Sequence, residues 1–390
     1  MDEVRMVRDG YPEPAPPTAT AIARAKALLD EPPRRSLPRL RWGLSGALAA
    51  AAAATVAITL AGGNTVVSGN TPGGGNAPAQ PAPLHLDGKA AILAAAEKAE
   101  QQPIGKYWST DLIQGQSYIM RPKTGTYAIT GAHSEMFSWW GAKPGMGEAY
   151  YGRDLPARPP TARDAARWRT AGSPSSFRVW SNDHYYTYTA KATKWQADRP
   201  NAAGGGEFPG GTSAEDLRNL PTDPAELADR FLSETEMVKG AGKPPKNPTH
   251  QAQTPMAEIM RVASLLAGPL PPKVRAGLMR ALADQPGIHS IGGVTDPLGR
   301  RGVALAADDR AITVTGEFGA PKAEQGTYRS RAVIVFDERT GAVLSEHEEL
   351  TRPGGPYAEM KPGFVINYWT LRSAQWTDTK PKPPAELPFT

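Results

Sequence analysis

Nothing constrains this chain more than Trp42 to Ala61, a run of 20 residues without a charged side chain. Six consecutive alanines, Ala49 to Ala54, stand between Leu44 and Leu48 on one side and Val56, Ile58 and Leu60 on the other. As a helix rising ~1.5 Å per residue, such a run spans the ~30 Å hydrocarbon layer of a bilayer. Alanine favours helix but is only weakly apolar, so insertion rests on the five larger side chains. Trp42 falls where an interfacial aromatic belongs. The 20 residues before it hold Arg24, Lys26, Arg34, Arg35, Arg39 and Arg41, and the 20 after Ala61 hold no Lys or Arg. That asymmetry places the N-terminus in the cytoplasm and the rest of the chain outside, with Arg34, Arg35, Arg39, Arg41 and Trp42 setting the orientation. Read instead as a cleaved signal peptide, the run would follow a 41-residue n-region, far longer than such leaders carry. The expectation is therefore an uncleaved single-pass anchor in the cell membrane.

Segments follow from this. Residues 1–41 form a cytoplasmic tail with two short apolar faces, Val4/Val7/Tyr11 and Ile22/Ala25/Leu29, separated by Pro12, Pro14, Pro16 and Pro17. Helices this short bury no core alone, so the tail is expected either to be disordered or to fold on a cytoplasmic partner. Residues 62–86 hold six Gly and four Pro, a flexible tether with an end-to-end distance of roughly 25–30 Å. Residues 87–380 form an extracytoplasmic domain, and 381–390 a Pro-rich C-terminal tail.

Within the domain the hydrophobic period alternates between helix and strand. Helices are expected at Ala90–Gln102, Pro224–Val238, Pro255–Ala267 and Pro272–Asp284. The last three open on proline, and two of those follow a capping residue, Asp223 or Thr254. Strands are expected at 106–120, 126–140, 176–181 and 184–189, then at 288–294, 302–307, 310–317, 328–336, 342–350 and 364–376. The fold class is α+β: a curved antiparallel sheet with helices packed on one face. The hairpin of 255–284 should bury Ile259, Val262, Leu266, Val274, Leu278 and Leu282 against the C-terminal sheet, leaving Arg261, Lys273, Arg275 and Arg280 on the opposite face.

The chemistry is mostly exclusion. With no cysteine there is no disulfide, thiolate site or cysteine nucleophile. A net charge of +5 over 390 residues is too dilute for nucleic acid. His347-Glu348-Glu349 starts like a zinc-protease motif, but no second histidine follows. Ser290 is off the nucleophile-elbow spacing. No catalytic, metal or cofactor residue is expected, and the chain reads as non-enzymatic. What stands out is aromatic density: residues 106–195 hold six of nine tryptophans and eight of twelve tyrosines. Adjacent rings on a strand point to opposite faces. These rings serve either as core and cross-strand packing or as a groove for an apolar or glycan ligand, which would draw on Trp108, Trp139, Trp140, Tyr151, Trp180 and Tyr186.

Several stretches carry a resemblance: the start Met1-Asp2-Glu3-Val4-Arg5-Met6-Val7-Arg8, Gly105-Lys106-Tyr107-Trp108, 270–279, 294–304 and 333–344. In these the chain resembles a family of uncharacterised actinobacterial single-pass membrane proteins that carry a locus-type name. The resemblance implies an N-in anchor, an extracytoplasmic domain and association with extracytoplasmic-function sigma factors. The domain's pattern is also similar to lipoprotein-carrier and sigma-regulator periplasmic domains, whose curved sheets hold apolar ligands. The implied role is sensing or regulation, with a lipid- or glycan-binding carrier as the alternative.

Protease added to wall-less cells should digest the chain beyond residue 62 and spare an N-terminal tag, and the spared tag should recover a cytoplasmic partner. A digested tag refutes the orientation, and a tag that recovers nothing specific refutes the role of the tail.

Overall fold

The computed structural model describes residues 88–181, 184–197, 201–208, 212–233, 254–382 and 384. The expected span Trp42–Ala61, the arginines before it, the tail and the tether lie outside these residues. No helix among the described residues is long and apolar enough to cross a membrane.

In chain order the elements begin with α1 (Gly88–Glu100), β1 (Tyr107–Met120), β2 (Tyr127–Gly141), β3 (Glu148–Asp154) and α2 (Ala162–Thr170). The hairpin β4 (Ser176–Ser181) and β5 (His184–Thr189) follows, then the two-residue strands β6 (Gln196–Ala197), β7 (Glu207–Phe208) and β8 (Thr212–Ser213). Four helices come next: α3 (Ala214–Arg218), α4 (Pro224–Phe231), α5 (Pro255–Leu266) and α6 (Pro272–Ala283). The chain closes on β9 (Ile288–Thr295), β10 (Arg301–Ala307), β11 (Arg310–Val314), β12 (Gly326–Phe336), β13 (Val343–Arg352) and β14 (Val365–Thr377).

The fold is α+β around one ten-stranded antiparallel sheet, ordered β6-β3-β2-β1-β14-β13-β12-β10-β9, with β11 also paired to β12. The C-terminal strands form a meander that departs from the expected six strands at one point: β10 and β11 do not pair with each other, and both pair with β12. The last of them, β14, pairs with β1, so both halves of the domain share one sheet. Two expected elements end early. The helix opened by Pro224 stops at Phe231, and residues 234–238 of that expectation lie outside the described residues. The strand from Arg310 stops at Val314, where the chain turns and Gly319 N–H bonds to the Gly316 carbonyl. Six elements have no counterpart in the sequence reading: β3, α2, the two-residue strands β6, β7 and β8, and the five-residue α3. β3 is a seven-residue strand flanked on its outer side by the two-residue β6 alone, with Ala149 and Tyr151 buried. α2 buries no residue and is held by its Thr161 cap and by Asp164, which accepts from the Ala128 amide.

One face of the sheet carries the main core. Trp108, Leu112, Val303, Leu305, Ile334, Phe336, Val343 and Leu371 meet Ile92 and Ala96 of α1, Leu227 of α4, Ile259 and Val262 of α5 and Leu278 and Leu282 of α6. α5 lies on β10, β12 and β13, whereas α6 packs mainly against α1 and α4. The hairpin therefore reaches the sheet chiefly through its first helix. Capping explains the starts: the Asp223 carboxylate accepts from the amides of Ala225 and Glu226, and Thr254 Oγ1 accepts from Ala257. At the β12–β13 turn Gly341 has φ +68°, and a Cβ there would stand 2.1 Å from the Ala95 carbonyl of α1. Only glycine admits both the left-handed turn and the helix above it.

The expectation of Arg275 on a solvent face is corrected. Its side chain is buried, donates to the carbonyls of Leu266 and Gly268 and lies over the Trp108 ring at 5.2 Å. Burial lowers its pKa to about 10. The guanidinium closes the C-terminal end of α5, which satisfies orphan helix carbonyls with a charged donor.

Leu278 is 0% exposed. Leu278→Ala should lower the unfolding free energy by ~2–5 kcal/mol. A chemical-denaturation midpoint equal to that of the unsubstituted chain would contradict the packing described.

Candidate functional site

Alternation along β1–β3 sends one set of side chains to the helices and the other to the reverse face. Trp140 joins the helix-facing core, and its neighbour Trp139 joins a separate reverse-face cluster with Ala149, Tyr151 and Trp195. Beside that cluster the reverse face opens into a cavity of about 280 Å³ lined by Asp111, Glu135, Phe137, Arg153, Trp195, Arg372, Lys382 and Pro384. Register places the floor: Asp111 of β1 pairs with Phe137 of β2, and Glu135 pairs with Arg153 of β3.

Glu135 is the pivot. It is 1% exposed. Its Oε2 accepts from Arg153 Nε at 2.6 Å, and its Oε1 stands 2.5 Å from Arg372 Nη1. A carboxylate withdrawn from water needs such partners, and here one anion holds two guanidinium groups at the cavity rim. Arg153 also lies 4.6 Å above the centre of the Trp195 ring, a cation–π contact that fixes both. Asp111 Oδ1 is buried with no hydrogen-bond partner among the described residues. Burial, reinforced by the charge of Glu135, raises the Asp111 carboxyl to about 6. Lys382 and Pro384 form part of the wall, so the cavity draws on the segment that composition sets apart as a tail. Lys380 lies 4.9 Å from the centre of the Trp139 ring.

The six aromatics singled out by density are not gathered in one place. Trp108 and Trp140 are in the helix-facing core. Trp139 and Tyr151 are buried in the cluster whose fourth member, Trp195, lines the cavity. Trp180 and Tyr186 lie on the β4–β5 hairpin, where Trp180 meets Tyr185 edge-on. Asp111, Glu135, Arg153 and Arg372 escaped the sequence reading. Each is an ordinary polar residue of an alternating strand, and 237 positions separate Glu135 from Arg372. The residues expected to set a membrane orientation, Arg34, Arg35, Arg39, Arg41 and Trp42, lie outside the described residues. Among the described residues no group of histidines and acids is placed to hold a metal ion.

A second polar cluster sits under the helices. Glu346 pairs with Ile334 and Trp369, and Glu348 with Ala332 and Asn367, so both carboxyls face the helix side. Ser330 Oγ donates to Glu348. Burial raises Glu346 to about 8, helped by Glu348, and raises Glu348 to about 7. His347 between them points to the reverse face with Val333, and burial lowers it to about 4. The apparent zinc-motif start is thus split across the sheet.

No protein-family model, curated protein or solved structure matches this chain. The reading of function rests on the geometry.

The sign of the pH dependence follows from these shifts. A carboxyl raised in the folded state stabilises fully below its ordinary value of 4.5, and the contribution is lost as pH rises through the folded value. His347 acts oppositely: its contribution is full above 6.5 and is lost as pH falls toward about 4. Above pH 6.5 the two glutamates therefore carry the trend. Thermal melts should show Tm falling as pH rises from 6.5 to 8, and the paired substitution Glu346→Gln with Glu348→Gln should flatten that slope. A wild-type Tm that holds or rises over this interval refutes the assignment.

Proposed function

We propose that this chain is a membrane-anchored, non-enzymatic sensing or regulatory protein whose extracytoplasmic domain binds a small glycan-type ligand in the reverse-face cavity. The observation that carries the reading is Glu135, a buried anion that fixes two arginines beside Phe137 and Trp195 while an oxygen of Asp111 is left without a donor. Binding sites of this kind join apolar walls to a few fixed polar groups. A sugar ring matches both, with C–H faces for the aromatics and hydroxyls for the polar atoms. An acyl chain does not, since it would cover five charged side chains and leave them without water or partners. This favours glycan over lipid as cargo. At about 280 Å³ the cavity is just below the ~300–1,000 Å³ of sites for drug-sized ligands, so one sugar ring fills it. The tether would hold the domain off the bilayer, and the cytoplasmic tail would pass its state to a partner. A sigma-factor system is the partner that the resemblance implies.

Saturation-transfer NMR on the full chain in nanodiscs, with a panel of mono- and disaccharides, tests the reading. Magnetisation should reach ring protons of at least one sugar, and Trp195→Ala should abolish the transfer while retaining the circular-dichroism spectrum. Transfer to a short-chain phospholipid and to no sugar would make the cavity a lipid site.

A further inference from the structure

The cavity's charges and its unmet hydrogen bond specify more than a glycan. Arg153, Arg372 and Lys382 stand against Asp111 and Glu135, three cations to two carboxylates. Both oxygens of Glu135 are already engaged by the arginines, so this carboxylate orients the cations and is not open to a ligand. Among the described residues Glu135 is the sole salt-bridge partner of the Arg372 guanidinium, whose side chain is 48% exposed. A guanidinium has five N–H donors in a planar fork suited to a carboxylate. Held by one edge against Glu135, Arg372 keeps donors for a second anion. The Arg372 side of the cavity therefore calls for a negative group, and the excess cation matches one charge.

On the floor, Asp111 Oδ1 is a buried acceptor without a donor among the described residues. Leaving such an atom unmet costs free energy that a ligand hydroxyl recovers. The groups that face Asp111 are Glu135 on β2, Arg153 on β3, Arg372 on β14 and Lys382 beyond it, and the two arginines turn their bonded edges to Glu135. Phe137 and Trp195 supply the apolar wall. A carboxylate, a hydroxyl donor and an apolar ring face on one small molecule describe a sugar acid.

Building on the glycan reading above, we infer that the cavity selects a carboxylate-bearing monosaccharide, its acid group on Arg372 and Lys382 and a ring hydroxyl on Asp111. D-glucuronate and D-glucose differ at this point alone, carboxylate against hydroxymethyl, and benzoate offers a carboxylate and a flat ring without a hydroxyl.

Isothermal titration of the full chain in nanodiscs with these three probes tests the assignment. Glucuronate should bind at least tenfold more tightly than glucose, and benzoate should lie with glucose. Arg372→Gln should erase the preference for glucuronate. Because that substitution leaves Glu135 with one partner, Lys382→Gln on the exposed C-terminal segment serves as the second variant and should weaken glucuronate severalfold without changing the melting curve. Glucose binding as tightly as glucuronate overturns the acidic class and leaves the glycan reading intact. Benzoate matching glucuronate overturns the sugar. Binding by none of the three, with a panel of other sugars also silent, overturns both readings.

Discussion

The pairing of β1 with β14 is the constraint on which the rest of the domain depends. It joins the N-terminal strands to the C-terminal meander, and it must do so while burying large side chains from both on the helix face. Trp108 pairs with Trp376, and Leu112 pairs with Leu371. In a strand of strict period two, residues 371 and 376 point to opposite faces. The register shift at the Asp111/Leu112 step removes the conflict by inserting one residue on β14, as a β-bulge does. Arg372 lies within that insertion, and its guanidinium reaches Glu135 on the reverse face. The irregularity that lets the core close is the one that brings the second arginine to the cavity.

The domain handles buried charge in three ways. Glu135 stays ionic between two guanidinium groups. Arg275 lies among helix-end carbonyls and over an indole, with no carboxylate paired to it among the described residues. Glu346 and Glu348 are close on one strand face, where two negative charges would repel, and burial favours their protonated forms. Such groups seldom add net stability over apolar residues of equal volume. They make the stability of the domain sensitive to pH.

Much of the fold was legible. Proline at the first helical position, Asp223 and Thr254 as caps, and apolar spacing at Ile259, Val262, Leu266, Val274, Leu278 and Leu282 were sufficient to place α4, α5 and α6. Alternation located the long strands to within a residue or two at most ends. α2 was missed because its one large apolar side chain, Trp168, makes no helical repeat, and β3 because seven residues with Tyr150-Tyr151 between Glu148 and Arg153 show little alternation. Arg275 was misplaced because helical spacing assigns a residue to a face without saying what covers that face. Its guanidinium lies over Trp108 and meets the Leu266 and Gly268 carbonyls where α5 ends.

The candidate site was legible only as aromatic excess. Within the dense stretch 106–195, Trp139 and Tyr151 cluster with Trp195, but adjacency in sequence separates rings across a sheet, and Trp108 and Trp140 went to the core. Sequence by itself determined the local elements, through periodicity and capping that act over a few residues, and it carries the asymmetry of charge about Trp42–Ala61 on which the expected topology rests. Only the tertiary structure decided the cavity. Asp111, Glu135, Arg153 and Arg372 come from four strands, and their meeting depends on strand order, on register and on one inserted residue. These are set by the packing of the whole sheet against its helices, a balance that no short window of sequence contains.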